Sequence, residues 1–180
     1  MPERRVALLR GINVGRAKRV AMADLRSLFT SLGHAQVRTL LNSGNVVFDA
    51  PSGTPAALAG RLRAALQSEL DVAAEVIVKS RRELDAIVRA NPLLDVAADP
   101  SRLLIVFTQQ PAALSALAEL GAVDWSPEAL AIGKQAAYLW CPAGIIESKL
   151  AQAMTRALGE RATMRNWATV GKLQAMLRDA

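Results

Sequence analysis

One cysteine and one histidine in 180 residues remove whole classes of chemistry. A lone thiol, Cys141, cannot close an internal disulfide, so a reducing cytoplasm is the expected location. Cys141 follows Leu139-Trp140 on an apolar strand and reads as a small buried hydrophobe rather than a nucleophile. The lone histidine, His34, stands after a helix-ending glycine and is expected on the surface. With so few such residues there is no zinc-site spacing and no Ser-His-Asp or Cys-His arrangement. The acidic residues lack a D-x-D or E-x-x-H spacing, so no metal and no other cofactor is expected. Aromatics are also few: three phenylalanines, three tryptophans and one tyrosine. That is too thin a set for generic stacking on single-stranded nucleic acid. No apolar run approaches the roughly 18–20 residues that span a bilayer. Met1-Pro2-Glu3-Arg4-Arg5 leads into a strand without a signal-peptide core. No membrane partner is expected.

What the chain has in quantity is apolar residues, 52% of the total, and a net charge of +6. The first supports a packed core in one domain or two small ones. The charge is uneven. Residues 1–50 are net +5 and residues 146–180 net +3, while 51–100 and 101–145 are each net −1. A fold that joined the two ends would present one positive surface to phosphate, nucleic acid or an acidic partner. Solubility charge is the plainer explanation.

Periodicity predicts two halves of similar plan. Arg5 to Arg10 reads as a strand. Met22, Leu25, Leu28, Phe29 and Leu32 recur at helical spacing, with Gly33 as the stop. Val37 to Leu41 and Asn45 to Phe48 read as strands joined at Asn42-Ser43-Gly44. Thr54-Pro55 opens a helix marked by Leu58, Leu62, Ala65 and Leu66, and Ala74 to Lys79 is the last strand. The second half opens on an added helix with a Ser80/Glu83 capping box, ended at Asn91-Pro92. A looser stretch, Leu93 to Ser101, leads to a strand at Leu103 to Phe107 and a short helix at Pro111 to Leu117. A hairpin, Ala129 to Ile132 with Ala136 to Trp140, turns at Gly133-Lys134-Gln135. Ser148 to Leu158 is a helix, Ala162 to Arg165 an extended piece, and the last helix carries Trp167, Val170, Leu173, Met176 and Leu177. Each half is βαββαβ. The expected fold is α+β: two tandem ferredoxin-like (split βαβ) halves, 1–79 and 80–180, packed as one body, with extra helices in the second half.

The candidate site residues lie in four blocks. Leu8-Leu9-Arg10-Gly11-Ile12-Asn13-Val14-Gly15 runs a strand into a glycine loop. There, backbone N–H groups and Arg10 could meet an anion, with Asn13 and Lys18 beside them. It is neither a G-x-G-x-x-G fingerprint nor a P-loop, and a long connection with glycines at positive φ explains it equally. Ser43, Gly44 and Asn45 are also what a plain turn requires. Ser148 can be a helix cap and Lys149 an anion contact; as adjacent helical residues they do not face each other as a catalytic pair. Asn166 can cap the last helix. Trp167 can be core, or can join Arg165 in holding a ligand.

These blocks, with Met22-Ala23-Asp24-Leu25 and the run Leu40 to Phe48, resemble the bacterial DUF1697 family. Asn91-Pro92, Ser148-Lys149-Leu150 and Arg165-Asn166-Trp167 to Leu173 resemble its later blocks. The resemblance implies tandem ferredoxin-like halves. As a domain of unknown function, the family implies no activity or catalytic residue. Ile146 and Glu147 stand where the family usually has a glycine and a basic residue, and Ala168 where it has a polar one.

Three functions remain open. One is a binding module for an anionic, phosphate-bearing ligand or nucleic acid near Arg10, Gly11, Asn13, Gly15 and Lys18. A second is a group-transfer or hydrolytic enzyme that positions substrate with Arg10, Asn13, Ser43, Asn45 and Lys149. The third is a protein-interaction or homodimer module that uses sheet edges or the Trp125 region.

Overall fold

The computed structural model describes residues 1–16 and 18–179. The chain divides into two compact units, Met1–Leu84 with Leu173–Ala180, and Asp85–Lys172. Each holds one four-stranded antiparallel sheet. It is an α+β protein.

In the first unit the order is β1 (Glu3–Arg10), α1 (Met22–Ser31), β2 (Ala35–Leu40), β3 (Asn45–Ala50), α2 (Pro55–Leu70) and β4 (Glu75–Ser80). The strands lie in the order β2-β3-β1-β4. Leu25, Leu28 and Phe29 place one buried stripe on α1, and Leu58, Leu62, Ala65 and Leu66 do the same on α2. Both stripes join Ala7, Leu9, Val46, Phe48, Val76 and Val78 in one core. Thr54 caps α2 by accepting from the Ala57 N–H at 3.3 Å, and Pro55 sits where its missing N–H costs nothing.

α1 ends in a way that overturns one expectation. Gly33, at φ +85°, donates its N–H to the Thr30 carbonyl, and the next residue, His34, donates to the Phe29 carbonyl. This pair of bonds is the Schellman arrangement, in which the residue after the glycine folds back onto the helix. His34 is therefore buried, not on the surface. It is 5% exposed, and its ring centroid lies 4.7 Å from that of Phe48 and 6.1 Å from that of Phe29. Leu41, expected to close β2, instead stands in the turn at φ +58°.

In the second unit α3 (Arg81–Arg89) leads to β5 (Leu103–Thr108). A 3-10 turn (Pro111–Leu117) and α4 (Ala118–Gly121) follow, where the pattern suggested one short helix. Then come β6 (Ala129–Ile132), β7 (Ala136–Trp140), α5 (Lys149–Leu158), β8 (Ala162–Asn166) and α6 (Trp167–Arg178). The first residues of α3 and the last of α6 group with the first unit. α3 opens on the predicted capping box. Ser80 N–H donates to Glu83 Oε2 at 2.7 Å, and Glu83 N–H donates to Ser80 Oγ at 3.2 Å. The strand order β6-β7-β5-β8 repeats that of the first sheet. One core joins Leu104, Val106, Ala137 and Leu139 to Leu150, Met154 and Leu158 of α5. On the opposite face the Tyr138 hydroxyl donates to the Ile87 carbonyl of α3 at 2.6 Å. Burial pushes that phenol up to about 12.

The inner strands of both sheets, β1 and β3 in the first and β5 and β7 in the second, are buried on both faces. Val6, Leu8, Val47 and Ile77 lie on the face of the first sheet away from its helices, and all are at most 4% exposed. Lys79 shares that face at 2% exposed, and burial pulls its ammonium below the ordinary lysine range.

Candidate functional site

The loop between β1 and α1 is shaped by left-handed residues at every second position. Gly11, Asn13 and Gly15 have φ of +78°, +53° and +55°. Such residues let the chain turn tightly, and the Asn13 N–H donates to the Lys18 carbonyl at 3.4 Å. Asn13 holds the loop in that shape. Its Nδ2 donates to the Val20 carbonyl at 2.9 Å and to the Asn42 carbonyl at 2.8 Å. Its Oδ1 accepts from the Val20 N–H at 2.7 Å. Its own carbonyl accepts from the Arg19 guanidinium at 2.9 Å. One side chain thus closes the loop on itself and ties it to the β2–β3 turn.

That turn is fastened from the other side by Gly44. Its carbonyl accepts from the Leu9 N–H at 2.8 Å. A Cβ at Gly44 would lie 2.7 Å from Leu9 Cβ and 3.0 Å from Ile12 Cδ1, so the close approach needs glycine. Asn45 is fully buried, and its Nδ2 donates to the Leu40 carbonyl at 3.0 Å and to Ser43 Oγ at 2.9 Å.

Two of the expected blocks therefore come together at one end of the first sheet: Arg10, Gly11, Asn13, Gly15 and Lys18 with Ser43, Gly44 and Asn45. Their roles differ. Asn13 and Asn45 spend their amides on the chain itself. Lys18 Nζ donates to the Asp71 carbonyl at 2.9 Å and to its carboxylate at 3.0 Å. That hydrogen bond is the main reason the Asp71 carboxyl lies below the usual carboxylate range. Arg10, half-buried, stands opposite Glu75 in the β1–β4 ladder, and Glu75 accepts from Arg63 at 2.9 Å. Arg16 is exposed and has no partner among the described residues. Arg19 is exposed and is anchored through one nitrogen. In the sequence Arg16 and Arg19 stand out, with Lys18, only as local positive charge, which a solvated loop explains as well. The signal for both was the run of charge just past the glycines.

The other two blocks lie in the second unit, at the end of its sheet where β5 begins and β7 and β8 end. In the matching sheet of the first unit, the loop occupies the opposite end, where β1 finishes. Ser148 is buried and caps α5 by accepting from the Ala151 N–H at 2.9 Å. Its hydroxyl donates to Glu128, whose other oxygen accepts from the Leu150 N–H at 3.3 Å. The carboxylate of Glu128 thus occupies the positive end of α5. The Cys141 thiol donates to Ser148 Oγ at 3.3 Å. Burial pushes that thiol up, away from the thiolate a nucleophile needs. Lys149 is exposed.

Asn166 caps α6 by accepting from the Thr169 N–H at 2.8 Å. Arg165 donates to Thr163 Oγ1 at 2.7 Å and to the Met164 carbonyl at 2.9 Å. Burial brings its guanidinium down to about 10, still protonated at neutral pH. Trp167 is half-buried at the start of α6. Among the described residues, no group of three His, Cys, Asp or Glu could hold a metal ion. No helix among them is long and apolar enough to cross a membrane.

The family model for "Protein of unknown function (DUF1697)" matches residues 3–138. The match includes the β1–α1 loop and the β2–β3 turn. It ends before Ser148 and before Arg165-Asn166-Trp167, so those blocks carry the likeness on their residues alone. Among solved structures, the chain is similar to the conserved bacterial protein SP0830 from Streptococcus pneumoniae. The TM-score is 0.82 at 24% identity, over 99% of this chain and 100% of that one. At that identity the likeness speaks for the fold alone. No curated protein matches the chain.

Proposed function

We propose that this chain, which belongs to the DUF1697 family of proteins of unknown function, is a binding module for an anionic, phosphate-bearing ligand held on the loop between β1 and α1. The observation that carries this reading is the division of labour within the loop. Asn13 spends every polar atom of its side chain on fixing the loop, while Arg16 has no partner among the described residues. A loop already in its bound shape loses little entropy when a ligand arrives. A guanidinium offers paired donors that match a phosphate. Binding is favoured over catalysis because the polar groups expected to position a substrate are committed. Asn13 and Asn45 hold the loop and the β2–β3 turn; among the other candidate contacts Ser148 and Asn166 cap helices, and the Cys141 thiol is held protonated.

The architecture supports a tandem reading. Each unit runs βαββαβ with strand order 2-3-1-4 within its own sheet, which fits a ferredoxin-like split βαβ in each half. We place the halves at 1–79 and 80–180.

A thermal-shift titration at ~50 mM salt tests the proposal, with inorganic phosphate, nucleotides and short DNA or RNA as probes. Stabilisation by phosphate-bearing probes, lost in an Arg16→Ala, Arg19→Ala double variant, is the expected result. Nucleic acid as the ligand would show as a steep loss of affinity with rising salt. No stabilisation by any probe would remove the reading.

A further inference from the structure

Apart from Met1, the large apolar side chains most exposed in the first unit stand at the loop just described. Val14 is 64% exposed and Leu41 is 57% exposed. The segments that carry them are tied together: Asn13, next in sequence to Val14, donates to the carbonyl of Asn42, next to Leu41, at 2.8 Å. Leu41 is also held at φ +58°, a backbone state that leucine rarely adopts. The turn thus presents a bulky aliphatic side chain where local backbone preference would favour glycine or asparagine. Cations border the pair. Arg19 bonds the Asn13 carbonyl at 2.9 Å, Arg16 lies two residues beyond Val14, and Arg26 bonds Thr39 Oγ1 at 2.8 Å, two residues before Leu41. The surface therefore combines positive charge with aliphatic area.

The aromatic residues of the unit decide which apolar group would suit that area. Its only two, Phe29 and Phe48, are fully buried. No ring in this unit is available to stack on a base, as single-stranded nucleic acids and nucleotides would ask. Aliphatic side chains beside guanidinium groups suit a ligand whose anionic head continues into a hydrocarbon.

We propose that the ligand of the β1–α1 loop is an amphiphilic anion. Its phosphate monoester head would be bound by Arg16 and Arg19, and its aliphatic portion would lie against Val14 and Leu41. This rests on the anion-binding reading and narrows it. The same chemistry occurs in a free alkyl phosphate and in a phosphate-headed lipid of a bilayer.

The test is a calorimetric series with inorganic phosphate, methyl phosphate, butyl phosphate and hexyl phosphate. A parallel arm uses phosphatidylcholine vesicles with and without phosphatidic acid. Each protein is assayed as wild type, Val14→Ser/Leu41→Ser and Arg16→Ala/Arg19→Ala, and the melting temperature of each variant confirms that it folds. Affinity that rises with chain length, by up to about fourfold per methylene buried, and goes flat in the serine variant supports the proposal with a free ligand as source. Binding to phosphatidic acid vesicles that is lost in both variants supports it with a lipid as source. Equal affinity across the series, with no vesicle binding, overturns the amphiphile and leaves the anion site standing. Failure of every anion to bind overturns both.

Discussion

Gly44→Ala is the sharpest perturbation of the loop, because Gly11→Ala provides an internal control. Both glycines have positive φ, +78° at Gly11 and +85° at Gly44. An alanine in that region costs about 1–2 kcal/mol, offset by about 0.4–1 kcal/mol from the reduced freedom of its unfolded chain. A Cβ at Gly11 meets nothing within 4 Å, so Gly11→Ala should destabilise by about 1.5 kcal/mol at most. At Gly44 the same Cβ lies 2.7 Å from Leu9 Cβ and 3.0 Å from Ile12 Cδ1. Ile12 can swing aside, but Leu9 Cβ is fixed to a central strand. Overpacking of this kind adds about 1–3 kcal/mol, for a total of about 1–5 kcal/mol. Urea unfolding of the two variants gives both values from the midpoints, provided the slopes agree. Equal losses at the two positions would refute the claim that the turn is clamped against β1. A large loss at Gly11 would show that the loop packs more tightly than its open surroundings indicate.

Other predictions follow from single contacts. Burial, with the charge of Arg61 second, holds the His34 imidazole below its ordinary value. The unfolded state therefore binds the proton first, and stability should be full above about pH 6.5 and fall as pH drops through the folded value. Urea midpoints at pH 7.5 and 5.5 should separate in the wild type and draw closer in His34→Leu; an unchanged gap would acquit His34. Ser80→Ala removes half of the α3 capping box and should cost about 1 kcal/mol, read from the melting temperature. Leu41→Gly relieves about 1–2 kcal/mol of backbone strain against roughly 0.5–1 kcal/mol of added chain entropy. It should leave stability equal or slightly higher, and a clear loss would mean Leu41 packs more than its exposure suggests.

Much of the architecture was legible in the chain because its signals are local. Thr54-Pro55, the Ser80/Glu83 box and the 3.6-residue stripes of α1 and α2 each specify an element without reference to the rest. His34 was misplaced although its own signal was local too. A glycine just past a helix end implies a following residue folded back on the last turn, and here that residue is the histidine. Burial of both faces of the inner strands was also written in the chain. Val6-Ala7-Leu8-Leu9 and Leu103 to Phe107 are continuous apolar runs, as strands covered on both sides require. Leu41 reads as strand by composition, and only the turn geometry around Gly44 sets it at positive φ.

The site was legible as a place rather than as a set of roles. Asn13 and Asn45 are as polar as any ligand contact, and the bonds that occupy them reach residues 2–29 positions away. A motif does not reveal partners at that range. Glu128 lies 20 positions from Ser148, and nothing local connects a carboxylate after Pro127 with the first turn of α5.

The most direct test of the central claim is a map of backbone amide shifts as inorganic phosphate and then butyl phosphate are added to the full chain. The account predicts that the first amides to move lie within residues 11–16, with 41–44 joining when the alkyl chain is present. Shifts confined to other parts of the chain, or none at millimolar ligand, would contradict it.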